Sequence, residues 1–312
     1  RRLWRELEDA SGEVLLDEVG AVEHGVDQTA IDQFVALLGQ RRVAHEVLAP
    51  EVAAERWPGM RFDGRVLFQP GGGCIYAERA VSALQRLAVT HGASLLSNHE
   101  VQSIRPATSP ASDAVEIVTS QGVFHALRVV VTAGPWTPRV LSGQVELPQI
   151  TATREQPRHF AVRDPGQPWP CFVQWRHGPG PYGKFESYGL SEGSLGVKVG
   201  LHASGPVMDP DHKDSTQDPG VEQALLDYVQ QWFPGLDPQS STTNSCLYDN
   251  PETNRFIIDT VGPITLAAGF HGQGFKFVPV MGELLRDLAF SERTPPAYFS
   301  LAAHRQALSA SS

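Results

Sequence analysis

The sequence predicts a mixed α/β chain, in which an α/β domain is interleaved with a mostly antiparallel, β-rich domain. Three observations lead there. Val129-Val-Val-Thr-Ala-Gly134 is a continuous apolar run ending in Ala-Gly, the pattern of a strand buried on both faces whose C-terminal end lets a ligand approach. Ile150 to His202 breaks at Gly and Pro into successive strand-like pieces. Leu266-Ala-Ala-Gly269-Phe-His-Gly272-Gln-Gly274-Phe-Lys276-Phe277 reads as an apolar strand, a glycine turn and a helix start, which together favour an anion.

In chain order, Leu3 to Glu8 has helical spacing and Glu13 to Glu23 alternates as strands. Asp27 is placed to cap a helix over Thr29 to Leu38. A short helix from Glu51 to Arg56 ends at Trp57-Pro58-Gly59, and Tyr76 to His91 is amphipathic, with Ala80, Leu84, Leu87 and Ala88 on one face. Ser94 to Leu96 reads as a strand, and Ala114 to Thr119 with Val123 to Val131 as a hairpin about Gln121-Gly122. The β-rich block gives strands over Ile150 to Asp164, Cys171 to Trp175, Tyr182 to Tyr188 and Ser194 to His202. Helices follow over Val221 to Phe233 and Phe275 to Phe290, and the tail from Ser309 is expected to fray.

At 312 residues the chain is long enough for two domains. A net charge of −10 argues against nucleic acid as a partner. No apolar run approaches the ~20 residues that span a bilayer, and Arg1-Arg-Leu-Trp-Arg opens without a signal-like stretch, so a cytoplasmic protein with no membrane partner is expected. Cys74, Cys171 and Cys246 form neither an even framework nor a close metal spacing; reduced thiols and no metal are the expectation.

Gly196-Val-Lys198-Val-Gly200-Leu-His202 alternates cleanly. Val197, Val199 and Leu201 face one way, and Lys198, Gly200 and His202 the other, leaving room for a flat ring over the glycine. Read alone, the lysine also fits a solvated surface strand, and Tyr188 and Tyr248 fit half-buried core. Cys246 alone fits an inert buried thiol. Lys276 sits near a helix start, where a cation is unfavourable unless an anion shares the site.

Cys246-Leu-Tyr248, Phe256-Ile-Ile-Asp259, Ala268-Gly269-Phe and Gly272-x-Gly274-Phe275-Lys276-Phe277 resemble the motifs of the monomeric sarcosine oxidase and N-methyl amino acid oxidase family of flavoenzymes. The resemblance implies FAD, held by a thioether to Cys246 and touched by Val101, Thr132, Ala133, Gly134, Trp136, Gly269, Gly272, Gly274, Phe275 and Lys276. It implies that Lys276 holds the substrate carboxylate, Lys198 activates O2, and His202, Tyr248 and, across a one-residue gap, Tyr188 line the amine site. The implied reaction is oxidation of a secondary amine, as in sarcosine or another N-methyl or cyclic amino acid, by hydride transfer to FAD with H2O2 released by a monomer. Residues 1–16, 77–148 and 253–312 would form the FAD-binding domain, and 17–76 and 149–252 the substrate domain. Two departures stand out. His271-Gly-Gln273-Gly replaces the family's Ser-Gly-His-Gly, and the expectation is that no G-x-G-x-x-G occurs, nor an acidic residue about 20 further on to bind a ribose, so the first βαβ unit is expected to be lacking. Two other readings stay open: an amino acid oxidase with non-covalent FAD, and an inactive remnant acting as a structural or interaction module.

Overall fold

The structure, a computed structural model, describes residues 1–25, 28–106, 114–176, 185–212 and 218–311. Its largest element is an eight-stranded sheet in the spatial order Thr242–Thr243, Arg158–Phe160, Val197–Leu201, Phe185–Ser191, Cys171–Arg176, Ala21–His24, Val66–Gln69 and Glu46–Leu48. All neighbours are antiparallel except Cys171–Arg176, which runs parallel to Ala21–His24.

Alternation divides this sheet into two chemically different faces. Val22, Phe68, Phe160, Phe172, Val197, Val199 and Leu201 form a core with Trp57, Leu225, Val229, Trp232 and Phe233. Helix Pro219–Trp232 supplies most of the covering layer; the Asp218 side chain caps it by accepting from the Gly220 and Val221 amides. The opposite face carries Glu23, Glu186, Tyr188, Lys198 and His202.

A second sheet pairs Ile257–Val261 antiparallel with Ile264–Ala268, which in turn lies parallel to Val129–Val131. Helix Val278–Ala289 packs Leu284, Leu285 and Leu288 onto Ile258 and Ala267 of that sheet. Helix Arg2–Ser11 packs Trp4 against Ala80 and Ala83 of helix Ala77–Thr90. A six-pair ladder joins Ile150–Glu155 to Cys246–Pro251.

Several expectations are corrected. Ser94 to Leu96 is not a strand; no described strand lies beside it to complete its hydrogen bonds, and Leu95 and Leu96 are each 52% exposed. Val129–Val131 is not buried on both faces: among the described residues it pairs on one side only, and Val130 is 45% exposed. The expected Val123 to Val131 arm is two strands in different sheets, Gly122–Ala126 and Val129–Val131. Ile150 to Asp164 likewise breaks at Gln156-Pro157 into two strands, because proline cannot donate to a ladder. The tail does not fray from Ser309, since a helix runs from Leu301 to Ser311 with Leu301 buried in the core. The Asp27 cap and the Tyr182 start of a strand lie outside the described residues. So does Gly178-x-Gly180-x-x-Gly183, a G-x-G-x-x-G spacing that overturns the expectation of none; the strands flanking it pair antiparallel as Cys171–Arg176 and Phe185–Ser191, whereas the dinucleotide fingerprint joins a strand to a helix.

Candidate active site

The register of the large sheet assembles the first part of the site. Tyr188 lies opposite Gly200, and Lys198 lies between His159 on one neighbouring strand and Leu190 on the other. A Cβ at Gly200 would fall 2.7 Å from the Tyr188 hydroxyl. The flat ring expected over this glycine is therefore the chain's own Tyr188. His202 closes the strand, with its Nδ1 3.3 Å from the Tyr248 hydroxyl and the two rings 5.3 Å apart.

Tyr188 and Tyr248 lie near enough to shift one another's phenols. Burial pushes both phenols up, so both stay protonated across the physiological range. Burial, with His271 and Lys276 nearby, pushes the His202 imidazole below its ordinary value of 6.5. A neutral imidazole beside two phenols is equipped to accept a proton or a hydrogen bond.

The second part comes from the glycine turn. Gly269 and Gly272 adopt φ of 71° and 80°, and His271 one of 31°. The Asp249 carboxylate, only 7% exposed, accepts from the Gly269 amide at 2.7 Å, Phe270 at 3.0 Å and His271 at 3.2 Å. The leading amides of the turn are thus already occupied by an anion of the chain itself. Further on, the Gln273 amide donates to the Phe270 carbonyl at 2.8 Å, so it too is taken by the chain itself.

Gly272 packs on the Tyr248 ring so closely that a Cβ would lie 2.1 Å from it. Gly272→Ala is expected to destabilise the protein by about 2–4 kcal/mol, through this clash and the strained φ together, and to loosen the His202 to Tyr248 contact. Chemical denaturation checks the first effect.

Lys276 lies in the single turn Phe275–Phe277 and is exposed. The Trp4 indole N–H donates to its carbonyl at 3.0 Å, and the Trp4 ring stacks on Phe275 at 6.1 Å. The N-terminal helix therefore fixes the backbone under the lysine. Its charge adds to the lowering of the His202 imidazole and opposes the rise of the Glu186 carboxyl, and Lys276 follows Gly272, which packs on the Tyr248 ring, by four residues.

Cys246 is a half-buried thiol outside any disulfide, two residues before Tyr248 and directly across the ladder from Glu155. Glu155 is 1% exposed and accepts from the Thr153 hydroxyl at 2.7 Å and from the amides of Ser204 and Gly205 at 3.1 and 3.2 Å. It pins the turn that follows His202.

Asp249, Glu155, Glu23 and Glu186 are the residues that the motifs did not reveal. Glu186 carried a signal, because it stands two before Tyr188 and alternation puts both on one face. Burial raises both the Glu23 and Glu186 carboxyls, and the charge of Glu23 raises Glu186 further. Asp249 and Glu155 gave none, since their partners are amides remote in sequence.

Val101, Thr132, Ala133, Gly134 and Trp136 line a separate groove of about 730 Å3 with Glu100, Arg139 and Asp211. Gly134 turns the chain with φ 52°, and a Cβ there would meet nothing within 4 Å. Asp211 accepts from the Trp136 indole at 2.7 Å and pairs with Arg139, tying the loop before residue 212 across the groove mouth. The one-turn helix Gly134–Trp136 packs on strand Cys246–Pro251, so groove and reactive cluster flank one ladder. Lys198 and His202 stand four residues apart along one strand, roughly 13 Å.

These features fit a flavin dinucleotide. A groove of that size with an open backbone turn at Gly134 and one hydroxyl, that of Thr132, and a half-buried thiol two residues from a buried phenol, suit a nucleotide and a ring system respectively.

The chain matches the FAD dependent oxidoreductase family over residues 1–288. It is 31% identical to the peroxisomal sarcosine oxidase of Homo sapiens, across 95% of this chain and 77% of that protein. It is 27% identical to the monomeric sarcosine oxidase of Bacillus sp. (strain NS-129), across 99% of this chain and 81% of that one. Among solved structures it resembles NikD, an unusual amino acid oxidase essential for nikkomycin biosynthesis, with a TM-score of 0.82 at 24% identity over 95% of this chain and 79% of NikD.

Proposed function

The chain belongs to the family of FAD-dependent oxidoreductases, and from that premise we propose that it oxidises the secondary amine of a small N-methyl or cyclic amino acid. The observation that carries this reading is the meeting of two sheets at one point: Tyr188 lies over Gly200, His202 stands 3.3 Å from the Tyr248 hydroxyl, Cys246 precedes Tyr248 by two residues, and the glycine turn that leads to Lys276 packs on the Tyr248 ring.

FAD, when bound, supplies the two-electron acceptor for the amine's C–H hydride. Val101, Thr132, Ala133, Gly134 and Trp136 would hold the dinucleotide, and Cys246 would bind the ring end covalently. Gly269, Gly272, Gly274 and Phe275 would shape the turn that borders it.

Lys276 attracts the substrate carboxylate and so fixes which end of the molecule faces the tyrosines. Neutral His202 accepts the amine's hydrogen, and the buried phenols of Tyr248 and Tyr188 donate and hold the imidazole in place. Lys198 adds a fixed positive charge on the sheet face, which stabilises negative charge developing on dioxygen as it is reduced to hydrogen peroxide. The imine product is hydrolysed by water.

We assign residues 17–76 and 149–252 to the substrate domain because the eight-stranded sheet is drawn wholly from them, and 1–16, 77–148 and 253–312 to the FAD-binding domain. No helix among the described residues is long and apolar enough to cross a membrane. Three free cysteines suit a reducing compartment, and we place the protein in the cytoplasm as a monomer.

The test is anaerobic bleaching of the flavin spectrum by sarcosine, other N-methyl amino acids and cyclic amino acids, followed by a peroxide assay in air. Bleaching by secondary and not by primary amino acids is expected; no bleaching by any of them overturns the reading. The acid limb of kcat/KM is expected below the ordinary histidine value of 6.5, because His202 must be neutral. The same depression means that the stability tied to neutral His202 is complete above about pH 6.5 and is lost as pH falls through the folded value.

A further inference from the structure

We propose that Asp249 is a positioning residue of the site: it fills the anion-binding concavity of the glycine turn from within, and thereby sets where His271 and Lys276 stand relative to Tyr248. The roles of Lys276 and Tyr248 in this statement rest on the function proposed above.

Three consecutive amides turned toward one point form a concavity that selects an anion. Here they belong to Gly269, Phe270 and His271, and both carboxylate oxygens of Asp249 serve them at 2.7, 3.0 and 3.2 Å. The His271 amide also approaches the Asp249 carbonyl at 3.3 Å. Residues 269 to 271 are twenty or more positions from Asp249, so the contact is tertiary and cannot arise from a local turn.

The strand that carries Asp249 gives the contact its consequence. Cys246–Pro251 is held in register by six pairs to Ile150–Glu155. Alternation sends Tyr248 to one face and Asp249 to the other. The glycine turn wraps the edge between them, with Gly272 pressed on the Tyr248 ring and residues 269–271 bonded to Asp249. The turn is therefore gripped on both sides by two adjacent residues of one rigid strand. His271 keeps an unfavourable φ of 31° inside that grip. Lys276 follows five residues later, with its backbone anchored by Trp4.

A carboxylate this buried would be neutral without such donors, and burial does push the Asp249 carboxyl above its ordinary value while the three amides oppose the rise. Because the concavity is taken, the turn offers no site there to an external anion, and charge recognition at this end falls to the Lys276 side chain.

Asp249→Asn tests the proposal, since an amide of the same shape turns an NH2 group toward donors that need an acceptor. In the full-length flavin-loaded protein, hydrogen exchange of the 269–271 amides is expected to speed up roughly 10–100-fold, the loss of one to two charge-assisted bonds. The Ile150–Glu155 and Cys246–Pro251 ladder amides should keep their protection. The KM for the N-methyl amino acid should rise roughly tenfold while kcat at saturation falls by less, because the lysine that binds carboxylate has moved. Asp249→Ala, which removes the acceptor without presenting a donor, should show both effects and serves as the working variant if the asparagine form does not fold. Unchanged exchange at 269–271 overturns the clamp; faster exchange with an unchanged KM overturns the positioning role. If the wild-type protein oxidises no amine, the functional reading falls by itself, and the exchange measurement still decides the clamp.

Discussion

Cys246→Ser is expected to remove all flavin from the acid-precipitated protein while leaving the fold intact. Acid precipitation of the wild-type chain should give a yellow pellet, and the serine form a colourless pellet with any yellow in the supernatant. The exchange replaces only a sulfur atom at a half-buried position on a fully paired ladder, so packing is scarcely disturbed. Its chemical effect is large, because a thioether needs a thiol, and this thiol stands two residues before Tyr248 and across the ladder from Glu155. Cys74 and Cys171 are buried under the other end of the sheet face and do not substitute for it. A colourless wild-type pellet from a flavin-loaded protein, or an equally yellow serine pellet, would sink the covalent assignment and leave a non-covalent FAD oxidase.

Lys198→Met should slow the reaction of the substrate-reduced enzyme with O2 by roughly 10²–10³-fold, the usual effect of removing one preorganised charge from a reacting centre. Anaerobic reduction by the amine should stay close to wild type. The expected split follows from place. Lys198 projects from a strand whose Val197 and Val199 are fully buried in the core, so its Cα is rigid, yet it stands roughly 13 Å along the strand from His202, where the amine is handled. Methionine keeps the length and loses the charge. Stopped-flow traces of the two half-reactions decide it: equal slowing of both, or of neither, would remove Lys198 from oxygen chemistry.

Alternation was the part of the site that reads directly from the residues. Val197, Val199 and Leu201 must share a face by the geometry of a strand, and so must Lys198, Gly200 and His202; the core and the chemical face of the large sheet follow. The same rule failed for Val129–Val131, because apolar composition states a preference for burial but not which neighbours are present to satisfy it. Ser94 to Leu96 failed for the related reason that a strand exists only where another strand completes its hydrogen bonds. The ring over Gly200 was foreseen as a flat group and found to be Tyr188, since the period of two allows a ring there without saying whose.

By itself, then, the sequence determined the mixed class, the two-faced strand of Lys198 and His202, and the run of thiol, phenol, glycine turn and lysine from Cys246 to Lys276, because each is a local spacing with a local physical meaning. Only the tertiary structure decided that Tyr188, His202 and Tyr248 meet, that Trp4 braces Lys276, and that Glu155 and Asp249 hold the two turns on which the site depends. A buried carboxylate finds its donors wherever the packed backbone presents unpaired amides, and those amides lie twenty to fifty residues away.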